Sequence, residues 1–99
     1  MDNTYVKNKE KKKKLEKNNA IKLGKIIRYQ RTIRNMSQIR LSEIANLNHS
    51  YYCGIENGKA NMTMNKFLAI CEGLDISPEK IMHDLSHFEE SNRRYRSLE

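Results

Sequence analysis

The chain has no long apolar run, little cysteine and no alternation of apolar and polar residues. Without about 18 consecutive apolar residues it has no transmembrane helix, and Met1–Tyr5 lacks the apolar stretch of an export signal. The two cysteines, Cys53 and Cys71, belong to no cysteine-rich framework, so we expect a cytoplasmic protein without a disulfide bond. Because neither strand patterning nor internal repeats occur, the sequence favours one small all-α domain.

Arrangements typical of catalysis or metal binding are also missing from the sequence. No nucleophile is patterned with a base and an orienting residue, and no glycine-rich loop could cradle a phosphate. His49 and Cys53 are four residues apart, as are His83 and His87. This spacing can chelate zinc, but two ligands do not make a site. We therefore expect no enzymatic activity, no cofactor and no metal.

Positive charge is concentrated near the two ends of the sequence. The 99 residues include 19 Lys and Arg against 12 Asp and Glu, a formal net charge of +7. Residues 1–19 have seven lysines against three acids, a net charge of +4, whereas residues 20–90 have a net charge of only +1. A nearly neutral body with basic extensions suits a polyanionic partner. The alternative is that the lysines only keep the chain soluble.

Helical periodicity begins at residue 20, and apolar residues at helical spacing predict a first helix over 20–34 that ends at Asn35. The charged, apolar-poor residues 1–19 predict a disordered arm, or one that becomes helical towards Leu15. Four more helices are predicted over 38–45, 49–56, 64–73 and 78–86, each after an N-cap residue: Ser37, Asn48, Thr63 and Ser77. Asn46 is expected to take a left-handed turn conformation, and Gly58 to end the third helix. Residues 87–99 are predicted to be a tail or a continuation of the last helix.

The apolar faces of these helices define the expected core, which is thin for a domain of about 70 residues. Its predicted members are Leu23, Ile27, Leu41, Leu47, Tyr52, Ile55, Phe67, Leu68, Cys71, Leu74, Ile76 and Ile81.

The stretch from Leu23 to Ile81 resembles the Cro/C1-type helix-turn-helix family, also called the XRE family, which includes the lambdoid phage repressors. The residues that carry the resemblance are Leu23–Gly24, Ile27–Arg28, Arg31, Ser37–Gln38, Leu41, Leu47, Tyr51, Ile55–Lys59 and Leu74. The resemblance implies a five-helix, lambda-repressor-like domain that binds double-stranded DNA sequence-specifically. Ser42 replaces the usual alanine, Met62 a common proline, and Gln30 a usual apolar residue. We expect Gln30 at the rim of the core.

The resemblance also implies which side chains contact DNA, and the composition of residues 49–55, which include no Lys or Glu, fits close approach to base edges. The predicted base contacts are His49, Ser50, Cys53 and Gly54. The predicted backbone contacts are Ser37, Gln38, Tyr51, Asn57 and Lys59. Tyr51 either bonds a phosphate or packs at the rim. Gly54 either permits close approach or leaves one base pair unread, and we favour the second. Arg31 and Glu56 match a structural ion pair.

The sequence leaves the roles of two further surfaces undecided. The lysines of the arm, Lys11, Lys12, Lys13 and Lys14, either bind DNA phosphates or form an inert solubilising tail. Beyond residue 81, apolar residues would line an exposed stripe if the last helix continued, and a second copy could pair with it. The stripe consists of Ile81, Leu85, Phe88 and Tyr95.

Together these features predict a repressor that occupies a promoter as a homodimer on a near-palindromic operator. A toxin or an antirepressor is a possible protein partner. The alternative is an antitoxin-type module that binds a toxin and regulates its own operon. A third interpretation is a nonspecific nucleoid-binding protein.

Overall fold

The structure is a computed structural model that describes residues 4–96, with side chains from residue 8 onward. The described chain forms six α-helices, one 3-10 turn and no strand, so the all-α prediction is confirmed. The elements are α1 (Thr4–Thr32), α2 (Gln38–Ile44), α3 (His49–Glu56), α4 (Met64–Leu74), α5 (Pro78–Ser86), the 3-10 turn (Phe88–Ser91) and α6 (Asn92–Arg96). Within residues 4–96 no helix is both long enough and apolar enough to cross a membrane.

The helix starts follow from their capping residues, and all four predicted N-caps are confirmed. In each case the side-chain oxygen accepts a hydrogen bond from the backbone N–H three residues later, which satisfies a donor that the helix leaves open. The pairs are Ser37 with Arg40, Asn48 with Tyr51, Thr63 with Lys66 and Ser77 with Lys80. The turns that separate the helices use left-handed residues: Asn35, Asn46, Gly58 and Asp75, with φ of 54°, 55°, 71° and 53°.

The core consists of two apolar clusters that share α1 and α4. The first joins α1 to α2, α3 and α4: Ile27, Leu41, Ala45, Tyr52, Ile55, Ile70 and Leu74. The second joins α1 and α4 to α5 and the C-terminal segment: Ile26, Phe67, Cys71, Ile81, Phe88 and Tyr95. Adjacent side chains of α1, Ile26 and Ile27, therefore serve different clusters.

The predicted core is wrong at one position and incomplete at others. Leu68 is exposed, because the buried stripe of α4 follows positions 67, 70, 71 and 74, and position 68 is turned about 100° away. Ile26 is completely buried although it was not predicted in the core. Leu23, Leu47 and Ile76 are only partly buried.

The predicted disordered arm is instead helical over its described part, residues 4–19, and continues into the rest of α1 without a break. Lysine and glutamate are good helix formers, and no glycine or proline precedes Gly24. A helix that tertiary contacts already hold from residue 20 onward extends at low cost, since only the first turn of a helix is difficult to form. The expected start of the first helix at residue 20 is therefore wrong, and residues 1–3 lie outside the described range.

The predicted apolar stripe is not exposed. The chain turns after Ser86, and the following segment folds back onto α1, so that Ile81, Phe88 and Tyr95 are at most 5% exposed. The rings of Phe88 and Tyr95 stack with centroids 4.9 Å apart, and Tyr29 meets Tyr95 edge-on at 5.6 Å. Burial of these rings outweighs straight continuation of α5. Residues 88–96 are therefore neither a loose tail nor a simple extension of α5.

Gln30 is also placed differently from the expectation. It is 5% exposed rather than at the rim, and its side-chain Oε1 accepts a hydrogen bond of 2.6 Å from Nη1 of Arg34. This bond satisfies a polar group that burial would otherwise penalise. Ser42 is likewise buried, and its hydroxyl donates to the carbonyl oxygen of Ile39.

Candidate nucleic-acid interface

The helices α2 and α3 are joined by a tight turn that fixes their relative orientation. Asn46 takes the left-handed conformation, and the N–H of Leu47 donates back to the carbonyl oxygen of Ser42 over 2.8 Å. Tyr52 and Ile55 bury the inner face of α3 against the core. The opposite face of α3 is consequently turned to the surface.

The four predicted base-contacting positions all lie on this outward side of α3. His49 and Ser50 are exposed, and Cys53 and Gly54 are half-buried. Cys53 lies beside α2, whereas a Cβ added to Gly54 would lie 3.3 Å from the Cβ of Ala60 in the loop that follows α3. His49 and Ser50 are therefore the most outward of the four predicted base contacts.

Gly54 has a packing role that the sequence analysis did not consider. The loop after α3 closes over it, and the N–H groups of Lys59 and Ala60 both donate to its carbonyl oxygen, at 2.8 and 3.2 Å. A missing side chain lets this loop approach the helix closely. Whether Gly54 also leaves a base pair unread stays a prediction.

A chain of polar contacts connects the outer face of α3 to α2 and then to the core. Nε2 of His49 lies 3.4 Å from Sγ of Cys53, whose thiol donates to Oε1 of Gln38 at 3.3 Å. Nε2 of Gln38 in turn donates to Oε1 of Glu56 at 3.0 Å. Gln38, predicted to bond a phosphate, is thus held by the protein in a fixed position at the start of α2.

Glu56 is the centre of this polar network. Arg31 contacts it with two nitrogens, Nε to Oε2 at 2.6 Å and Nη2 to Oε1 at 3.1 Å, and the hydroxyl of Tyr52 also donates to Oε2. The structure therefore shows Arg31 and Glu56 as an ion pair, as the resemblance implies. The Glu56 side chain is only 1% exposed. A planar guanidinium that binds both carboxylate oxygens restrains orientation as well as distance.

The same contacts determine how these groups titrate. Burial disfavours the charged form of Glu56, but the hydrogen bonds from Arg31, Tyr52 and Gln38 outweigh burial and hold its pKa below the usual value. The hydrogen bond to Glu56 raises the pKa of Arg31 against the opposing effect of burial. Burial, and then the hydrogen bond to Glu56, raise the pKa of Tyr52. The network therefore contains a permanent ion pair at neutral pH.

The predicted backbone contacts are distributed over the start of α2, α3 itself and the loop that follows α3. Ser37 caps α2, Asn57 follows the last residue of α3, and Lys59 is exposed in the loop beyond. The hydroxyl of Tyr51 donates to the carbonyl oxygen of Asn61 at 2.6 Å, and Nζ of Lys66 lies 4.5 Å from its ring centroid. Tyr51 thus packs at the rim of the interface, and its contact with a phosphate stays a prediction.

Gly24, one of the residues that carry the family resemblance, positions α1 against the end of α3. A Cβ at this position would lie 2.4 Å from the carbonyl oxygen of Ile55 and 2.6 Å from that of Glu56. Only glycine allows α1 to approach the end of α3 this closely. In the part of the chain that the structure describes, no three His, Cys, Asp or Glu side chains gather where they could hold a metal ion.

Comparisons with known proteins agree with this geometry. Residues 27–81, more than half of the chain, match the helix-turn-helix family model. The control protein C.SmaI of Serratia marcescens is 30% identical over 60 residues, which cover 61% of this chain and 71% of that protein.

Two solved structures extend the comparison to the fold. The restriction-modification controller protein C.AhdI from Aeromonas hydrophila is 32% identical, with a TM-score of 0.62 over 63% of this chain and 94% of that chain. The wild-type restriction-modification controller protein C.Esp1396I is 28% identical, with a TM-score of 0.64 over 68% of this chain and 88% of that chain. The residues that match the family model include all of α2 and α3.

Proposed function

Because this chain belongs to the Cro/C1-type helix-turn-helix family and is a DNA-binding transcriptional regulator, we propose that it represses transcription by occupying a promoter at a near-palindromic operator. The observation that carries this proposal is the outer face of α3, which exposes His49 and Ser50 and has no lysine or glutamate between residues 49 and 55. Imidazole and hydroxyl groups can donate to or accept from base edges in the major groove.

The polar network supports recognition of a base sequence because it restrains the reading face, which is the outer face of α3 that exposes His49 and Ser50. Glu56 ties the end of α3 to α1 through Arg31 and to α2 through Gln38. Side chains that are held before DNA arrives lose less conformational entropy on binding. Gln38 and Lys59, on either side of α3, are the proposed phosphate contacts that set the register of the helix on the duplex.

A homodimer would let the protein read both halves of such an operator, with the half-sites about one helical turn apart. Dimerisation through α5 cannot use Ile81, Phe88 and Tyr95, since these are buried within one copy. Met82 is an apolar side chain of α5 that remains exposed. We infer that a dimer formed through α5 would include Met82.

The similar proteins support a proposal about the regulated genes. C.AhdI and C.Esp1396I are described as restriction-modification controller proteins, and we propose that this chain controls a restriction-modification operon. The comparisons give the antitoxin alternative no support.

Selection of bound duplexes from random double-stranded DNA tests the proposal. The expected result is a near-palindromic consensus that is protected in footprinting, and a protein mass in the complex that corresponds to two copies. Competition with a scrambled duplex then gives the specificity ratio at a stated salt concentration. Equal affinity for the selected and scrambled duplexes would contradict operator recognition and favour the nonspecific nucleoid-binding interpretation.

A further inference from the structure

The N-terminal half of α1 carries lysines and leads into the part of α1 that packs against the end of α3. Ile21 and Gly24 lie on the side of α1 that meets this end: a Cβ on Gly58 would approach the Cα of Ile21 to 2.7 Å, and one on Gly24 the carbonyl oxygen of Ile55 to 2.4 Å. This contact fixes the rotation of α1 about its own axis. The direction of every side chain in the N-terminal half follows from that rotation.

Two of the lysines continue the side of α1 that faces α3. At about 100° per residue, Lys13 and Lys17 each lie about 20° from Gly24 around the helix axis. Lys11 and Lys14 lie about 140° and 80° away from Gly24 by the same measure. The helix therefore distinguishes between lysines that the sequence presents as one uniform run.

An open groove of about 390 Å³ brings these two lysines together with the loop after α3. Lys13 and Lys17 line it on the α1 side, and Lys59 lines it on the loop side. Glu16 is the carboxylate in the lining, so the three ammonium groups leave an excess of two positive charges. Lys59, a predicted contact with the DNA backbone, is thus part of the groove.

We propose that Lys13, Lys17 and Lys59 form a phosphate-binding surface for the DNA backbone that flanks the bases read by α3. This inference rests on the proposed function, since the DNA must first be placed by α3. Lys17 lies about 10 Å and Lys13 about 16 Å along the helix from Gly24. The surface thus extends the contact with DNA beyond α2 and α3, through charge that is independent of base sequence.

A charge-matched pair of variants of the full chain tests the surface. Lys13→Gln/Lys17→Gln removes two charges from the side that faces Lys59, and Lys11→Gln/Lys14→Gln removes two from other sides of the same helix. All four positions are exposed, and glutamine has nearly the helix propensity of lysine. Circular dichroism verifies that both variants keep the helical content of the parent.

The measurement is the salt dependence of affinity for a selected duplex with several flanking base pairs on each side. Loss of two phosphate contacts should reduce the slope of log K against log salt by about 1.8 for Lys13→Gln/Lys17→Gln. The Lys11→Gln/Lys14→Gln control should change the slope by less than half as much. Both variants should keep the ratio of affinities for the selected and scrambled duplexes. On a duplex without flanks, the difference between the variants should disappear.

Slopes reduced equally in the two variants would overturn the proposal and show that the lysines act as diffuse charge. Slopes unchanged from the parent in both variants would overturn it as well, because the lysines would then make no contact with DNA. An acidic protein partner instead of DNA would also give unchanged slopes. Since phosphate contacts do not depend on base sequence, the same comparison on nonspecific DNA tests the surface even if no operator preference is found. Failure of the proposed function is therefore distinguishable from failure of this inference.

Discussion

Arg31 and Glu56, 25 residues apart in sequence, form a two-pronged ion pair that joins the end of α1 to the end of α3. The remaining terminal nitrogen of Arg31, Nη1, donates to the carbonyl oxygen of Met36 at 2.7 Å. One guanidinium therefore restrains α1, the loop before α2 and the end of α3. This relationship determines how firmly the reading face is held.

Replacement of Arg31 by alanine should strongly destabilise the protein. The change leaves the Glu56 carboxylate buried without its counter-charge, and loss of one partner of a buried pair costs about 3–5 kcal/mol. Urea unfolding followed by circular dichroism measures the loss. The control is Arg40→Ala, which removes an exposed pair with Glu43 at 3.9 Å and should cost less than about 0.5 kcal/mol. Similar losses for both variants would contradict a dominant role of the Arg31–Glu56 pair.

The stability of the protein should fall in acid because of Glu56. Its pKa in the folded protein lies below the usual 4.5, so the carboxylate adds stability above pH 4.5 and this contribution is lost as the pH falls through the folded pKa. Glu56→Gln should lower stability at neutral pH but flatten its decline below pH 4.5. Urea unfolding at a series of acidic pH values tests this, with the exposed Glu43→Gln as the control. A Glu56→Gln variant with an unchanged acid slope would refute the assignment.

Gly24→Ala should displace α3 and weaken DNA binding as well as stability. Because the added Cβ would meet two backbone carbonyl oxygens, the helices must separate, at a cost of about 1–3 kcal/mol. Thermal unfolding and operator affinity are the two measurements. Gly54→Ala is the stability control, since its Cβ would meet only the Cβ of Ala60 at 3.3 Å, and the higher helix propensity of alanine offsets the crowding. We expect this control to change stability by less than about 1 kcal/mol. Unchanged stability in Gly24→Ala would disprove the close approach.

Tyr95 should be essential for docking of the C-terminal segment. Tyr95→Ala removes the ring that stacks on Phe88 and meets Tyr29, and loss of a buried aromatic ring typically costs about 3–5 kcal/mol. Tyr95→Phe keeps both ring contacts and should cost no more than about 1 kcal/mol. Chemical denaturation of the two variants gives the comparison. A small loss in the alanine variant would mean that residues 88–96 are not part of the stable core.

His49 and Lys59 should affect DNA binding in different ways. His49→Ala should cost about 1–3 kcal/mol on the preferred operator and relax the preference at one base position. Lys59→Ala should weaken binding to all sequences alike and reduce the salt slope by about one. Binding titrations with the selected duplex and its single-base variants separate these effects. A uniform loss of affinity in His49→Ala and a relaxed base preference in Lys59→Ala would show that the reading face is placed incorrectly on α3.

The middle of the fold could be predicted from the sequence because its signals are local. Ser37, Asn48, Thr63 and Ser77 each cap a helix through a bond three residues away, and the φ of Asn46 depends on its own short side chain. The bounds of α3 and α5 were predicted correctly for this reason.

The ends of the fold could not be predicted because they depend on contacts that are distant in sequence. Tyr95 is buried against α1, where its ring meets Tyr29, and no local pattern near residue 95 indicates this partner. The helical state of residues 4–19 is favoured by the packed part of α1 that follows them, a contribution that the local composition does not reveal. The burial of Gln30 depends on the bond from Arg34, which a pattern of apolar residues does not detect.

The sequence could predict which residues share the outer face of α3, but not the hydrogen bonds that join them to α2. The helical spacing of the sequence places His49, Ser50 and Cys53 on one face, yet the contact from Cys53 through Gln38 to Glu56 requires the packing of α2 against α3. Likewise, the sequence presents the lysines of residues 11–17 as equivalent. Only the rotation of α1, fixed by Gly24, makes them different.

The contact between Cys53 and Gln38 limits how this protein can diverge to recognise new operators. Ser50 is exposed and is a proposed base contact, so under the proposed function a descendant can exchange it and alter a base preference while the scaffold stays intact. An exchange at Cys53 instead disturbs Gln38 and, through it, the carboxylate that fastens α1 to α3. Retargeting of this regulator should therefore start at position 50, and changes at position 53 should arise together with compensating changes at position 38.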